Sequence, residues 1–460
     1  MIKNLVLIVF FTGIMRLNAQ IIKTDVLVIG GSASGVAAAI QSARSNVKTI
    51  LVEPDTVPLL TGEISGTGKS NFITVTLGGV ATIHESQNLS SGIWEEFRLK
   101  FKEYHKSDKD FDTTRNSPVH YDSWSGSEIL KKMTDSVKNL TVNTNANFNS
   151  INKDGDFWEV GIKQNGKSKI IKTRIVVDAT PEGIVASFVN AVVVPLDSVL
   201  NKPGSKLYRT AIAVADGLPG ERYNDVIAHP DNFPQFPAIS FPIKATIAKS
   251  VDNLLITEKL FPSKINLNYL PRQLTLGQGV GAIAAYCAFY KTTTKKIRIR
   301  IIQGELLDFK AYLLPLMDIR PSDPNWRAVQ QITATGLLKG IQKTNKNGSQ
   351  FLFVPDSLVD TDEIKPVLLE IYSRAFLWFE KTKPGKQFTI GNMLDLISDY
   401  TLTDPEILKT KIQKSWNTSF HFKTSFDPGR QISRLEFAVL ANFFLNPFAR
   451  SIDVNGQFIN

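Results

Sequence analysis

At 460 residues the chain is too long for one core, so two or three domains are expected. Its 43% hydrophobic and 21% charged residues are ordinary for a globular protein and exclude a disordered or fibrous chain. The net charge of +10 comes with no nucleic-acid-binding motif, and the single cysteine excludes an intrachain disulfide or a cysteine-type zinc site.

The first 19 residues read as a secretory signal. Lys3 supplies the positive start, Leu5 to Met15 is an apolar stretch interrupted by Thr12 and Gly13, and Leu17-Asn18-Ala19 offers a small residue for cleavage before Gln20. The stretch is short for a bilayer span. An exported protein, periplasmic or secreted, is therefore expected, with no membrane span in the mature chain; the other reading of this stretch is an uncleaved N-terminal anchor. Residues 1–19 carry Lys3 and Arg16 and no acid, so their removal leaves about +8. The basic run from Lys291 to Arg300 reads as a solvated face.

Residues 25–53 carry the strongest local signal. Val26 to Ile29 is a short apolar run and predicts a buried strand. A glycine turn follows, then a small-residue helix from Gly35 to about Arg44, then a second strand from Thr49 to Val52 that ends on Glu53. Together they form a βαβ unit of the dinucleotide-binding kind. Gly30 makes the tight turn and Gly35 lets the helix pack on the strand. The helix N-terminus offers free N–H groups to a pyrophosphate, and Glu53 stands where a carboxylate can accept from ribose hydroxyls. In the G-x-G-x-x-G register the middle glycine is replaced by Ser32, which weakens the fit to phosphate. Gly30, Gly31, Ser32, Ser34, Gly35 and Glu53 are the candidate cofactor residues of this unit.

Residues 184–250, rich in Pro, Val and Phe, read as strands and loops. Cys287 lies in an apolar helical run, Gly281 to Tyr290, and reads as a small buried hydrophobe. Among the five histidines, His84 follows Gly78-Gly79 in a polar loop, where it reads either as a loop histidine with no role or as a base suited to neutral pH. His120 is a weaker candidate, His105 is expected on a solvated helix face, and His229 precedes Pro230 in a loop. No histidine pair has metal-ligand spacing, and no G-x-S-x-G turn signals a hydrolase.

Four segments resemble an exported family of FAD-dependent oxidoreductases whose members occur beside xanthan-lyase-type polysaccharide-degrading enzymes. They are Asp25 to Glu53, Leu89 to Phe97 (LSSGIWEEF), Ile175 to Gly183 (IVVDATPEG), and Val251 to Ile256 with Gln273 to Ala282. The resemblance covers roughly residues 24–310. It implies an FAD cofactor and adds Asp178, Ala179, Thr180, Gly277, Gln278 and Gly281 as candidate cofactor-binding residues; it also implies that the His84 stretch passes near the flavin, which makes His84 the candidate proton-transfer residue. The Gly277 segment is expected to place a glycine-rich helix N-terminus against the flavin.

Two departures from the family pattern fall on the flavin side. The glycine pair usual after the second strand is absent from Pro54 to Gly66, and Thr257-Glu258-Lys259 stands where the family often has Ala-Gly-Arg.

The last third repeats itself. Phe353-x-Pro355-x-x-x-Val359-x-x-x-Glu363 recurs 73 residues later as Phe426-x-Pro428-x-x-x-Ile432-x-x-x-Glu436. The pattern resembles S-layer-homology units, with Asp323 to Val329 and Gly336 to Gly340 similar to the start of one. In such units proline sets a turn and the acid caps the following helix. A structural role, packing on the rest of the chain, is expected.

The expected fold class is α/β: a discontinuous Rossmann-like FAD domain with a smaller β-rich part and a helical C-terminal region. The expected segments are a signal peptide (1–19), the FAD domain (20–185 and 251–312), a β-rich cap (186–250) and the helical repeat region (313–460). The expected function is an exported FAD-dependent oxidoreductase acting on a small, carbohydrate-derived substrate. The alternative is an impaired flavoprotein scaffold that meets glycan or cell wall through its C-terminal repeats.

Overall fold

The computed structural model describes residues 20–55, 73–75, 89–108, 111–114, 119–121, 123–196, 199, 204–216, 234, 238–261, 269–345 and 348–459. The proposed signal segment, His84 and His229 lie outside them.

A five-stranded parallel sheet forms the centre. Its strands are β2 (Val26–Ile29), β3 (Thr49–Val52), β6 (Leu140–Asn143), β10 (Ile175–Asp178) and β13 (Leu254–Ile256), in the order β13-β10-β2-β3-β6. Outside it, β4 (Ile73–Val75) pairs antiparallel with β5 (Val119–Tyr121). The four residues of β2, like those of β3 and β10, are all buried. Such continuous apolar runs fit a parallel sheet covered on both faces. The chain leaves β2 through α1 (Ala33–Arg44) to reach β3 on one side, and reaches β10 on the other side of β2 only later. The strand order therefore reverses at β2, and a crevice opens beyond the carboxyl ends of β2 and β10.

A second sheet, order β1-β9-β8-β7, is a meander of β7 (Ala146–Asp154), β8 (Phe157–Gln164) and β9 (Lys167–Thr173), with β1 (Gln20–Lys23) added in parallel to β9. Trp158 of β8 is buried and its indole N–H donates to Asn253 O at 3.2 Å, which ties the meander to the start of β13.

Helix α1 is buried from Ala33 to Ala43. Its small side chains let a 20-residue helix lie directly on it; with α2 (Gly92–Tyr104), α3 (Ser123–Asp135) and α4 (Ile184–Phe188) preceding it, this is α5 (Leu270–Phe289). A Cβ on Gly277 would stand 2.2 Å from Ser34 O, and one on Gly281 would stand 2.4 Å from Ala38 O. Only glycine permits this backbone approach. Cys287 on α5 is buried as expected, and burial pushes its thiol up to about 12.

The region between β10 and β13 contains the expected strands and turns. Among the described residues it holds α4, two 3₁₀ turns (Leu207–Thr210 and Ile243–Thr246) and one antiparallel pair, β11 (Ala211–Asp216) with β12 (Ala238–Pro242). His105 is not on a solvated face. It caps the C-terminus of α2, is buried between Phe101 and Phe111 at ring distances of 4.6 and 4.9 Å, and meets Asp108 at 2.6 Å. The aromatic neighbours outweigh the charged sequence around it.

After α6 (Ile299–Asp308) and α7 (Trp326–Thr335), the C-terminal region carries α8 (Thr361–Ile371), α9 (Ala375–Thr382), α10 (Ile390–Thr401), α11 (Pro405–Ser415) and α12 (Arg434–Leu440). The sequence showed two repeats; the structure has three equivalent segments. Val359, Phe388 and Ile432 close a ring of backbone bonds, with Val359 N–H donating to Ile432 O (3.0 Å), Ile432 N–H to Phe388 O (2.9 Å) and Phe388 N–H to Val359 O (3.2 Å). Two residues further along each segment the pattern recurs, from Thr361 to Lys386 O, Ile390 to Arg430 O and Arg434 to Ser357 O. Each segment leads into a helix (α8, α10 or α12), and Thr389 and Ser433 form capping boxes with Asn392 and Glu436. The ring's three central side chains are fully buried.

This region docks on the rest of the chain through Glu370, which holds buried Arg209 at 2.8 and 2.9 Å and Lys206 at 2.6 Å. Among the described residues no helix is long and apolar enough to cross a membrane.

Candidate cofactor site

Four strand ends meet at the crevice. Gly30 follows β2 with φ +103°, and its N–H donates to Val52 O at 2.9 Å. A Cβ at Gly30 would stand 2.6 Å from Ala179 O, so the turn requires glycine twice over, for conformation and for space. Gly35 is held as tightly, because a Cβ there would meet Gly30 O at 2.1 Å. Ser32, at the middle glycine position, is the N-cap of α1. Its hydroxyl accepts from Gly35 N–H at 3.2 Å and donates to Ala179 O at 3.1 Å. The serine has become part of the turn.

Glu53 folds back over this turn. Its carboxylate accepts from Gly31 N–H through Oε2 and from Asp55 N–H through Oε1 at 3.0 Å. Burial pushes Glu53 above the usual carboxylate range, against the two backbone hydrogen bonds. Each carboxylate oxygen can accept twice, so both retain capacity for a ribose diol.

Asp178, Ala179 and Thr180 lie on the opposite wall. The Asp178 carboxylate accepts from Thr180 N–H (3.1 Å), Thr180 Oγ1 (2.6 Å) and Ala186 N–H (2.8 Å). It is fully buried, and that burial pushes it up. Asp178 and Thr180 thus build the loop into α4, while the Ala179 backbone walls the glycine turn.

Gly277, Gln278 and Gly281 are not at a helix N-terminus. The helix begins at Leu270, with Pro271 in its first turn, so these residues lie well inside α5. The glycines are the contact with α1 described above. Gln278 donates to Gln41 Oε1 and accepts from Ile93 N–H, both at 3.0 Å, joining α1, α5 and α2. The expected helix N-terminus is thus corrected to a mid-helix position with a packing role, since close packing and anion binding both select glycine.

The N-terminus of α1 has a resident that sequence reasoning missed. Glu258, in the 3₁₀ turn Glu258–Leu260 after β13, is 1% exposed. Ser34 Oγ donates to its Oε1 at 2.7 Å, and Gln273 Nε2 donates to its Oε2 at 3.0 Å. Thr257 Oγ1 lies 2.8 Å from Ser34 Oγ. Burial pushes Glu258 up, and the hydrogen bonds oppose this. The departure from Ala-Gly-Arg was visible in the sequence, but not where its carboxyl would point.

Residues 25–194 match the family model described as FAD dependent oxidoreductase. No curated protein matches. Among solved structures, the chain is similar to p-nitrophenol 4-monooxygenase from Pseudomonas putida (12% identity, 38% of this chain and 44% of that one, TM-score 0.24). It is also similar to CabE, an aromatic hydroxylase from angucycline biosynthesis (13% identity, 37% and 33%, TM-score 0.24), and to L-proline dehydrogenase from P. horikoshii (16% identity, 35% and 23%, TM-score 0.19). The chain spans less than half the length of each, and at such TM-scores these likenesses carry no argument. The family match supports an FAD-dependent oxidoreductase as the kind of enzyme and FAD as its cofactor.

The site fits FAD at one end and not at the other. The glycine turn and Glu53 suit the adenosine ribose. The diphosphate position at the N-terminus of α1 holds the chain's own Glu258 carboxyl in this conformation. Among the described residues no cluster of His, Cys, Asp and Glu could hold a metal ion.

Proposed function

We propose that this chain is an FAD-dependent oxidoreductase acting on a small molecule, and that it is exported. The observation that carries the reading is the β2–α1–β3 unit with Glu53 folded over Gly31, inside the segment that matches the family model. FAD, when bound, supplies the two-electron acceptor. The chain's part is to hold the adenosine end: Glu53 accepts from the ribose hydroxyls, and the backbone at Gly30 and Gly31 allows close approach. His84 remains the proposed proton-transfer residue, on the family resemblance alone. Export rests on residues 1–19, and the carbohydrate-derived substrate on the family resemblance.

A second reading, a flavoprotein scaffold with altered chemistry, is favoured by one observation, the place of Glu258. Contact with glycan through the C-terminal repeats stays a proposal from their pattern.

The test uses residues 20–460 of the wild type and of E53A, each equilibrated with excess FAD. Flavin retained by the wild type, lost in E53A and bleached by a small-molecule hydride donor would support the reading. No flavin bound by the wild type or by E258G at any FAD concentration would overturn it.

A further inference from the structure

We propose that Glu258 is an internal occupant of the cofactor's diphosphate position, and that it sets how weakly this chain holds FAD. The inference rests on the cofactor reading above.

The argument starts from what the N-terminus of a helix offers. Its first N–H groups are unpaired and its dipole end is positive, so an anionic oxygen is the natural guest. Helix α1 has no acid of its own in its first turn. Glu258 arrives instead from 224 residues away, and its carboxyl meets the Ser34 hydroxyl and the Gln273 amide. These are neutral donors of the sort that bind phosphate oxygens. The turn that delivers it follows β13, which pairs with β10 beside β2, so Glu258 enters at the carboxyl ends of the same strands that frame the crevice. A carboxyl there excludes a diphosphate by volume, and when ionised by charge as well.

Two features mark this as a fitted contact. Glu258 is 1% exposed, and both its oxygens have hydrogen-bonded partners, as a buried acid requires. FAD can enter only if the Glu258 turn swings away, and that cost is subtracted from its affinity.

The experiment measures FAD affinity by quenching of flavin fluorescence in wild type, E258G and E258Q, with ADP as a second probe and thermal melts as the folding control. E258G empties the position and is expected to bind FAD and ADP at least about tenfold more tightly than wild type, a change of about 1.4 kcal/mol. E258Q keeps the volume but removes the charge, and is expected to tighten binding by a smaller factor; it carries the test if E258G does not melt cooperatively. Equal, measurable affinity in wild type and both variants would overturn the occupant and leave the cofactor reading standing. No binding by any of the three would overturn both.

Discussion

Glu258 Oε1 and Ser34 Oγ stand 2.7 Å apart at the N-terminus of α1, bridging 224 residues of chain. Because the contact closes the position a dinucleotide would use, removing it changes stability as well as binding. Burial pushes Glu258 above the usual carboxylate range. An acid raised in the folded state costs nothing below its unfolded value near 4.5. The cost appears as pH rises through that value and stops growing once the folded group ionises. E258Q should therefore melt like wild type near pH 4 and above it at pH 7, as read by circular dichroism (about pH 4 lies below the unfolded carboxyl value).

Glu53 should matter to FAD as well as to the turn that it holds through Gly31 and Asp55. E53Q keeps one acceptor, whereas E53A loses the charge-assisted hydrogen bonds expected from a ribose diol. Each such bond contributes about 1.5–3 kcal/mol, so FAD affinity should fall on the order of tenfold or more in E53A, with a smaller loss in E53Q. A fluorescence titration reads this directly, and an unchanged dissociation constant in E53A would count against the ribose contact.

The close crossing of α1 and α5 predicts a steric penalty. In G277A the added Cβ would sit 2.2 Å from Ser34 O, which is backbone and cannot rotate away. Overpacking of this kind costs about 1–3 kcal/mol. Chemical denaturation should show it, and G385A, where a Cβ meets nothing within 4 Å, should show no steric cost.

Glu370 joins the C-terminal region to the rest of the chain. Burial would raise its carboxyl, but the hydrogen bonds from Arg209 and Lys206 outweigh burial and hold it down at about 2. An acid lowered in the folded state contributes stability above its unfolded value of 4.5, and that contribution is lost as pH falls toward 2. E370A should therefore be destabilised at pH 7 by about 3 kcal/mol, since Arg209 is left buried without its partner. The difference from wild type should narrow steadily below pH 4.5 in acid titrations followed by tryptophan fluorescence.

What the sequence disclosed was local. The limits of β2 and β3, the small-residue character of α1 and the turn at Gly30 could be read because strand runs, glycine turns and helix starts are written in neighbouring residues. Glu258 could be seen as a departure, but its direction depends on β13 lying two strands from β2. Gly277 and Gly281 were misread because glycine serves both close packing and anion binding; Pro271 in the first helical turn was the signal that the helix starts earlier. The third repeat segment escaped because Thr382 stands where Phe353 and Phe426 do and Asn392 replaces the glutamate, although Pro384 keeps the proline four residues before Phe388. Its signals were that proline and the cap pattern, a threonine followed three residues later by a side chain that can return the hydrogen bond.

The most direct test of the central claim is an absorbance spectrum of residues 20–460 at equilibrium with excess FAD, recorded against a protein-free dialysate. The account predicts excess flavin on the protein side, bleached by dithionite, and more of it in E258G than in wild type at the same free FAD. Identical flavin on both sides of the membrane, for wild type and E258G alike, in protein that is folded by circular dichroism, would contradict it.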